Sequence, residues 1–130
     1  MKTINDILKI FPCTKAEEWK QHDKGKGWVQ ITAHVDATAT ILGLVFGDAR
    51  VSGNAWVFDK AQVSGNAWVS GDAQVSGDAQ VFDKARVSGD ARVYGDAWVS
   101  GDARVSGDAW VFGDARVSGD AQVSGDARVL

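Results

Sequence analysis

From Val45 onward the chain repeats one arrangement of apolar and polar positions every six residues, Val-x-Gly-Asp-Ala-x, as in Val87-Ser88-Gly89-Asp90-Ala91-Arg92. Within each unit the stretch Ala-x-Val-x, for instance Ala49-Arg50-Val51-Ser52, alternates small or branched apolar residues with polar or large ones. That is the period-two pattern of a strand with one buried face, so Ala and Val point inward and their neighbours outward. The Gly-Asn and Gly-Asp pairs, as at Gly53-Asn54 and Gly65-Asn66, suit a sharp corner, because Gly adopts positive φ freely and Asn or Asp tolerate it best among the rest. Antiparallel folding would not give every Val the same surroundings. The chain must coil onward in one direction, pairing its strands in parallel and rising roughly 4.8 Å per turn. A fixed period of this kind marks a solenoid, whose units bury a core only by stacking on one another.

Ahead of the regular run the same spacing persists in degraded form, with Val29, Val35 and Ile41 six apart and Ala33 and Ala39 in the small place. Between Ile41 and Val45 the step is four, so the register breaks at Leu42-Gly43-Leu44. Fourteen hexads then run from Val45 to the one beginning at Val123, followed by Val129-Leu130. Residues 3 to 11 read as an amphipathic helix, with Thr3 and Asp6 as a capping box, Ile4, Ile7, Leu8 and Phe11 on one face, and Pro12 as the stop. A second capping box, Thr14 and Glu17, predicts a polar helix to about His22 anchored by Trp19, and Lys24 to Gly27 reads as a flexible junction. The expected division is residues 1–27 as helical cap and linker, 28–44 as an irregular first coil and 45–130 as the regular solenoid. The cap is expected to cover the ladder at the start of the solenoid, while the ladder ending at Val129-Leu130 is left for another chain to meet, by end-to-end packing or in fibres, or to be blunted by its charges.

Tandem hexads with an aliphatic residue at the first place and a small one at the fifth resemble the hexapeptide-repeat proteins. The GDARV and GNAWV wording, preceded by Gly27-Trp28-Val29, is also similar to uncharacterised acyltransferase-like repeat proteins of bacteria and phages, and the resemblance covers about two-thirds of the chain. It implies an all-β solenoid, a left-handed parallel β-helix with three hexads to each triangular coil. Here that means about five to six coils with a short N-terminal helical cap.

With three hexads per coil, residues eighteen apart share a column, and the outward positions sort into three faces. One is polar and basic, running through Arg50, Trp68, Arg86, Arg104 and Gln122 with Ser52, Ser70, Ser88, Ser106 and Ser124. A second is aromatic, with Trp56 and Phe58, Gln74 and Ser76, Arg92 and Tyr94, Trp110 and Phe112, then Arg128 and Leu130. The third, from Leu44 and Phe46 to Arg116 and Ser118, is mixed. Stacking within the ladder would account for the aromatic side chains. An interface accounts for them too, since exposed apolar patches and Trp, Tyr and Arg mark binding hot spots. The expected contact surface is Trp56, Phe58, Arg92, Tyr94, Trp110, Phe112 and Arg128, serving self-association or a protein partner; the family resemblance implies a homotrimer.

Composition narrows the partners. The net charge is -3, and residues 47 to 130 hold 12 acids against 8 bases, a poor footprint for nucleic acid. A single cysteine, Cys13, leaves no internal disulfide and fits a reducing, cytoplasmic compartment. Met1 to Phe11 is broken by Asn5, Asp6 and Lys9 and lacks a signal peptide's apolar run, and no segment is long enough to span a membrane.

The family resemblance brings in CoA-dependent acyl transfer, which in such enzymes uses a histidine base at a cleft between subunits. The regular run has no histidine and no insertion; His22 falls on the polar cap and His34 on the outer side of the first coil. No carboxylate or nucleophile is placed by sequence to orient His34. The glycines are taken up by corners, no Cys-His cluster suits zinc, and the column Asp72, Asp90, Asp108 and Asp126 lacks the bidentate Glu of a calcium cage, so no metal is expected. Asp59-Lys60 and Asp83-Lys84 replace the Gly-Asp corner, with Asp expected to take the Gly role. The reading that follows is a non-catalytic scaffold or interaction protein without a cofactor. Two further possibilities are a divergent acyltransferase using acetyl-CoA with His34 as base, and a phage or mobile-element accessory protein that blocks a host enzyme.

Overall fold

Each Ala-x-Val-x segment forms a two-residue strand on its x-Val pair, and the Gly-Asp pair turns the chain through the next corner. The computed structural model describes residues 3–12, 14–22, 24–25, 27–58 and 60–129. Cys13, Asp59 and Leu130 lie outside the described residues, as does Lys26 of the Lys24 to Gly27 junction. The chain is a parallel β-solenoid of six turns with one short N-terminal helix. Its strands stack into three walls. Wall A runs through Trp28, Leu44, Gln62, Gln80, Trp98 and Arg116; wall B through His34, Arg50, Trp68, Arg86, Arg104 and Gln122; wall C through Thr40, Trp56, Gln74, Arg92, Trp110 and Arg128.

From Leu44 onward every parallel partner is eighteen residues away, as in Arg86 beside Arg104 and Trp110 beside Arg128. The first coil takes only sixteen: Trp28 pairs with Leu44, His34 with Arg50 and Thr40 with Trp56. The shortfall lies at the corner Leu42-Gly43, where the amides of both residues donate to the Val57 carbonyl at 2.7 and 3.1 Å. Gly43 is required there because a Cβ would stand 2.3 Å from the Ala61 carbonyl oxygen.

The core is a column of Ala and Val. Between Ala39 and Val111 the inward Ala and Val side chains are 0 to 1% exposed, so each coil adds the same buried unit. Burying one Val contributes about 1.5–3 kcal/mol before the cost of ordering its strand. Ladder hydrogen bonds join the coils at regular intervals, with Arg86 N donating to Ala103 O and Ser88 N to Val105 O, both at 2.9 Å.

The corners are specified twice over. At Gly89, φ is +67°, and a Cβ would lie 3.1 Å from the amide nitrogen of Gly107 on the next coil. Asp83 breaks the rule at φ +60° and takes the Gly role, as its sequence context predicts. Its carboxylate accepts a hydrogen bond from Gly101 N at 3.2 Å, so the crowded neighbour becomes a partner. The first coil, whose first two corners lack Gly, uses the same device: Gln30 Oε1 accepts from Gly47 N at 2.8 Å and Asp36 Oδ2 from Gly53 N at 3.0 Å.

At the N-terminus, α1 (Ile4–Ile10) forms with the expected Thr3–Asp6 capping box. The second helix does not form. Residues Ala16–Glu18 make one 3-10 turn, capped by Lys15 N donating to Glu18 Oε2 at 2.6 Å, and the chain then runs into β1 (Trp19–Gln21). β1 pairs antiparallel with β2 (Trp28–Gln30) on wall A. A short polar helix with one apolar anchor is marginal, whereas pairing satisfies the backbone on both sides and still buries Trp19. His22, expected on that helix, instead follows β1, buried, with Nε2 at 2.8 Å from the Ala39 carbonyl.

Covering of the first coil is also divided differently from the expectation. α1 packs beside the solenoid rather than over its end: Ile7, Trp19 and Leu44 form a second core with Phe11 and Phe46, whose rings lie 4.7 Å apart. The start of the ladder is met by β1 on wall A and by the link to β2 on wall C. There Ile41 N donates to Lys24 O at 2.9 Å and Gly27 N to Ile41 O at 2.6 Å. The segment read as a flexible junction is thus the lid.

Candidate interaction faces

Because the coil repeats at eighteen, outward residues distant in sequence become direct neighbours, and the pairs they form are largely tryptophan against arginine. On wall C, the Arg92 and Arg128 guanidiniums lie 5.4 and 4.8 Å from the Trp110 ring. On wall B, Arg50 and Arg86 flank Trp68 at 5.0 and 4.8 Å, and on wall A Arg116 sits 4.8 Å from Trp98. Such contacts contribute about 0.5–1 kcal/mol each at exposed sites and hold long arginine side chains in one place. The sequence placed both partners of these sandwiches in one column and anticipated stacking within the ladder; the structure adds that two guanidiniums flank each of Trp68 and Trp110.

The seven residues expected to make the contact surface all face outward on wall C, but they fall into two groups. Trp56 and Phe58 pair edge to face at 6.0 Å. Two rungs further on, Tyr94 meets Trp110 edge to face at 6.0 Å and stacks on Phe112 at 5.3 Å, with Arg92 and Arg128 alongside. The rung between the groups is Gln74-Val75-Ser76, whose outward residues are polar. Trp56 is the most exposed aromatic at 46%, followed by Trp68 at 39% and Trp98 at 37%, one on each wall, while Trp110 on wall C is half-buried.

His34 lies exposed on wall B beside Arg50. The corner brings Asp48, unassigned in the sequence reading, into the same hollow of about 390 Å³ with Thr32, His34, Arg50, Asn66 and Trp68. A similar hollow of about 370 Å³ runs along the next corner, lined by Asp72, Asp90 and Asp108 on one side and Gln74, Arg92 and Trp110 on the other. Among the described residues no group of three or more His, Cys, Asp or Glu is placed to hold a metal ion, and no helix is long and apolar enough to cross a membrane.

Residues 61–77, 85–101 and 97–111 match the family model of the YdcK beta solenoid repeat. This chain is similar to that repeat over those stretches, which supports a β-helix repeat protein and assigns no activity. Comparisons with curated proteins and with solved structures found no match.

Proposed function

We propose that the protein is a non-catalytic β-helix scaffold that associates with a second copy of itself through wall C. The observation that carries this reading is the Tyr94, Trp110 and Phe112 cluster, held between Arg92 and Arg128 on a flat wall. Rigid aromatic and arginine side chains are the groups that dominate interface energetics, and their ordering is already complete before binding. Sedimentation velocity tests it: the chain should run as a species larger than its 13.8 kDa monomer, and Trp110→Asp should return it to monomer. A parent that sediments as a monomer refutes the proposal.

A second reading, a divergent acyltransferase with His34 as base, draws on the hollow that joins His34 to Asp48 and Arg50. Under it, calorimetry would record saturable acetyl-CoA binding that is lost in His34→Ala. A flat titration removes it.

A further inference from the structure

Wall B carries three exposed arginines in one column, Arg50, Arg86 and Arg104. Arg50 and Arg86 are pinned on opposite sides of Trp68, two rungs apart, or roughly 9.6 Å at about 4.8 Å per rung. Arg86 and Arg104 are direct cross-strand neighbours, and among the described residues theirs is the one outward pair of adjacent arginines. Like charges opposite each other destabilise a ladder, so this rung favours an anion shared between them. The positive strip is narrow, one guanidinium wide except where Lys84 stands beside the Arg86 rung. Asp48, Asn66, Lys84 and Asp102 follow one another along one corner of the wall, and Asp72, Asp90 and Asp108 along the other. A broad polyanion would meet those carboxylates, while a narrow chain with its charges in single file would not.

We propose that wall B docks an extended acidic peptide in the polyproline II conformation, with a carboxylate at every third residue. Such a chain has three residues per turn and rises about 3.1 Å per residue, so one face recurs at about 9.3 Å, close to the two-rung spacing of Arg50 and Arg86. One carboxylate pairs with Arg50 and the next with Arg86, within reach of Arg104, in charge-assisted hydrogen bonds of the kind guanidinium forms best. A β-strand ligand repeats its face at about 6.8 Å and drifts from the rungs. A helix, about 10–12 Å across, brings its flanks over the aspartate corners. The proposal extends the scaffold reading to a different wall from the one assigned to self-association, so the two fail separately.

Fluorescence anisotropy at physiological ionic strength tests it, using a labelled peptide of Glu-Pro-Pro repeats and an isomer of the same composition whose glutamates alternate with proline over two-thirds of its length, the remaining prolines following. The first should bind saturably and about tenfold more tightly than the isomer, and Arg50→Gln or Arg86→Gln should weaken it about tenfold, while Arg116→Gln on wall A leaves it unchanged. Thermal unfolding by circular dichroism confirms that each variant folds; the comparison of isomers on the parent protein decides the matter even if a variant does not. Equal binding of the two isomers, no saturable binding, or tighter binding of a single-stranded oligonucleotide or an acidic polysaccharide at the same arginines overturns the proposal.

Discussion

Replacing Gly89 separates the two demands that a solenoid corner makes on its residue. Alanine there must adopt φ near +67°, at a cost of about 1–2 kcal/mol. Its Cβ would also stand 3.1 Å from Gly107 N, so the next coil must shift by a few tenths of an ångström. That shift strains the bond from Asp90 N to Gly107 O, now 2.9 Å, and losing it costs about 1 kcal/mol more. Gly125 has the same backbone conformation, φ +63°, but nothing within 4 Å of its would-be Cβ. Gly125→Ala should therefore cost only the conformational part, about 1–2 kcal/mol, and Gly89→Ala about 2–3. Gly89→Asp should recover about 1 kcal/mol of that, since its carboxylate can accept from Gly107 N as Asp83 accepts from Gly101 N. Guanidinium unfolding followed by circular dichroism measures the order. Hydrogen exchange at the Asp90 amide localises the effect, which matters because repeat arrays unfold in segments. Equal losses for the two alanine variants would refute the stacking argument, and a Gly89→Asp variant less stable than Gly89→Ala would refute the rescue.

Two other perturbations address the core and the lid. Val87 is fully buried at mid-solenoid, so Val87→Asp should abolish cooperative folding and Val87→Ala should cost about 1.5–3 kcal/mol, with a parent-like melting transition for the Asp variant as the contrary result. Gly25→Ala places a Cβ 2.4 Å from Ile41 O at φ +102°, and should lift the lid; faster exchange of the Ile41 amide with little change at Arg86 is the expected outcome, and unchanged exchange at Ile41 the refuting one.

The regular coils were legible because one period controls both burial and spacing. From Ala49 to Val117 every Ala-x-Val read as inward-outward-inward is found so, and the eighteen-residue columns inferred for Arg50, Trp68 and Arg86 are direct strand partners. Asp83 was readable as a Gly substitute because the unit around it is otherwise intact. The N-terminal segment was harder to read because its structure depends on partners outside it. Thr14 and Glu17 spell a capping box, but the open edge of β2 draws Trp19–Gln21 into a strand, and Thr14 Oγ1 instead accepts from Trp19 Nε1 at 3.0 Å. The four-residue step at Ile41 to Val45 announced an irregular corner without disclosing that the whole first coil shortens to sixteen. The wall C residues show the same division. Their facing and the polar rung at Gln74 and Ser76 follow from periodicity, whereas the clamping of Trp110 by two arginines depends on side-chain geometry that a column of letters does not carry.

A circuit of three identical hexads also makes the interior indifferent to what the exterior says. Duplicating a single hexad anywhere in the regular run would preserve every buried Ala and Val, yet turn all later residues by one third of a circuit, so that the arginines of one wall would continue onto another. Duplicating three would lengthen the prism and leave each wall in phase. Surface lettering can therefore be reshuffled by slippage of the coding repeat with no loss of core packing, a route to new binding strips that folds with a unique core do not possess.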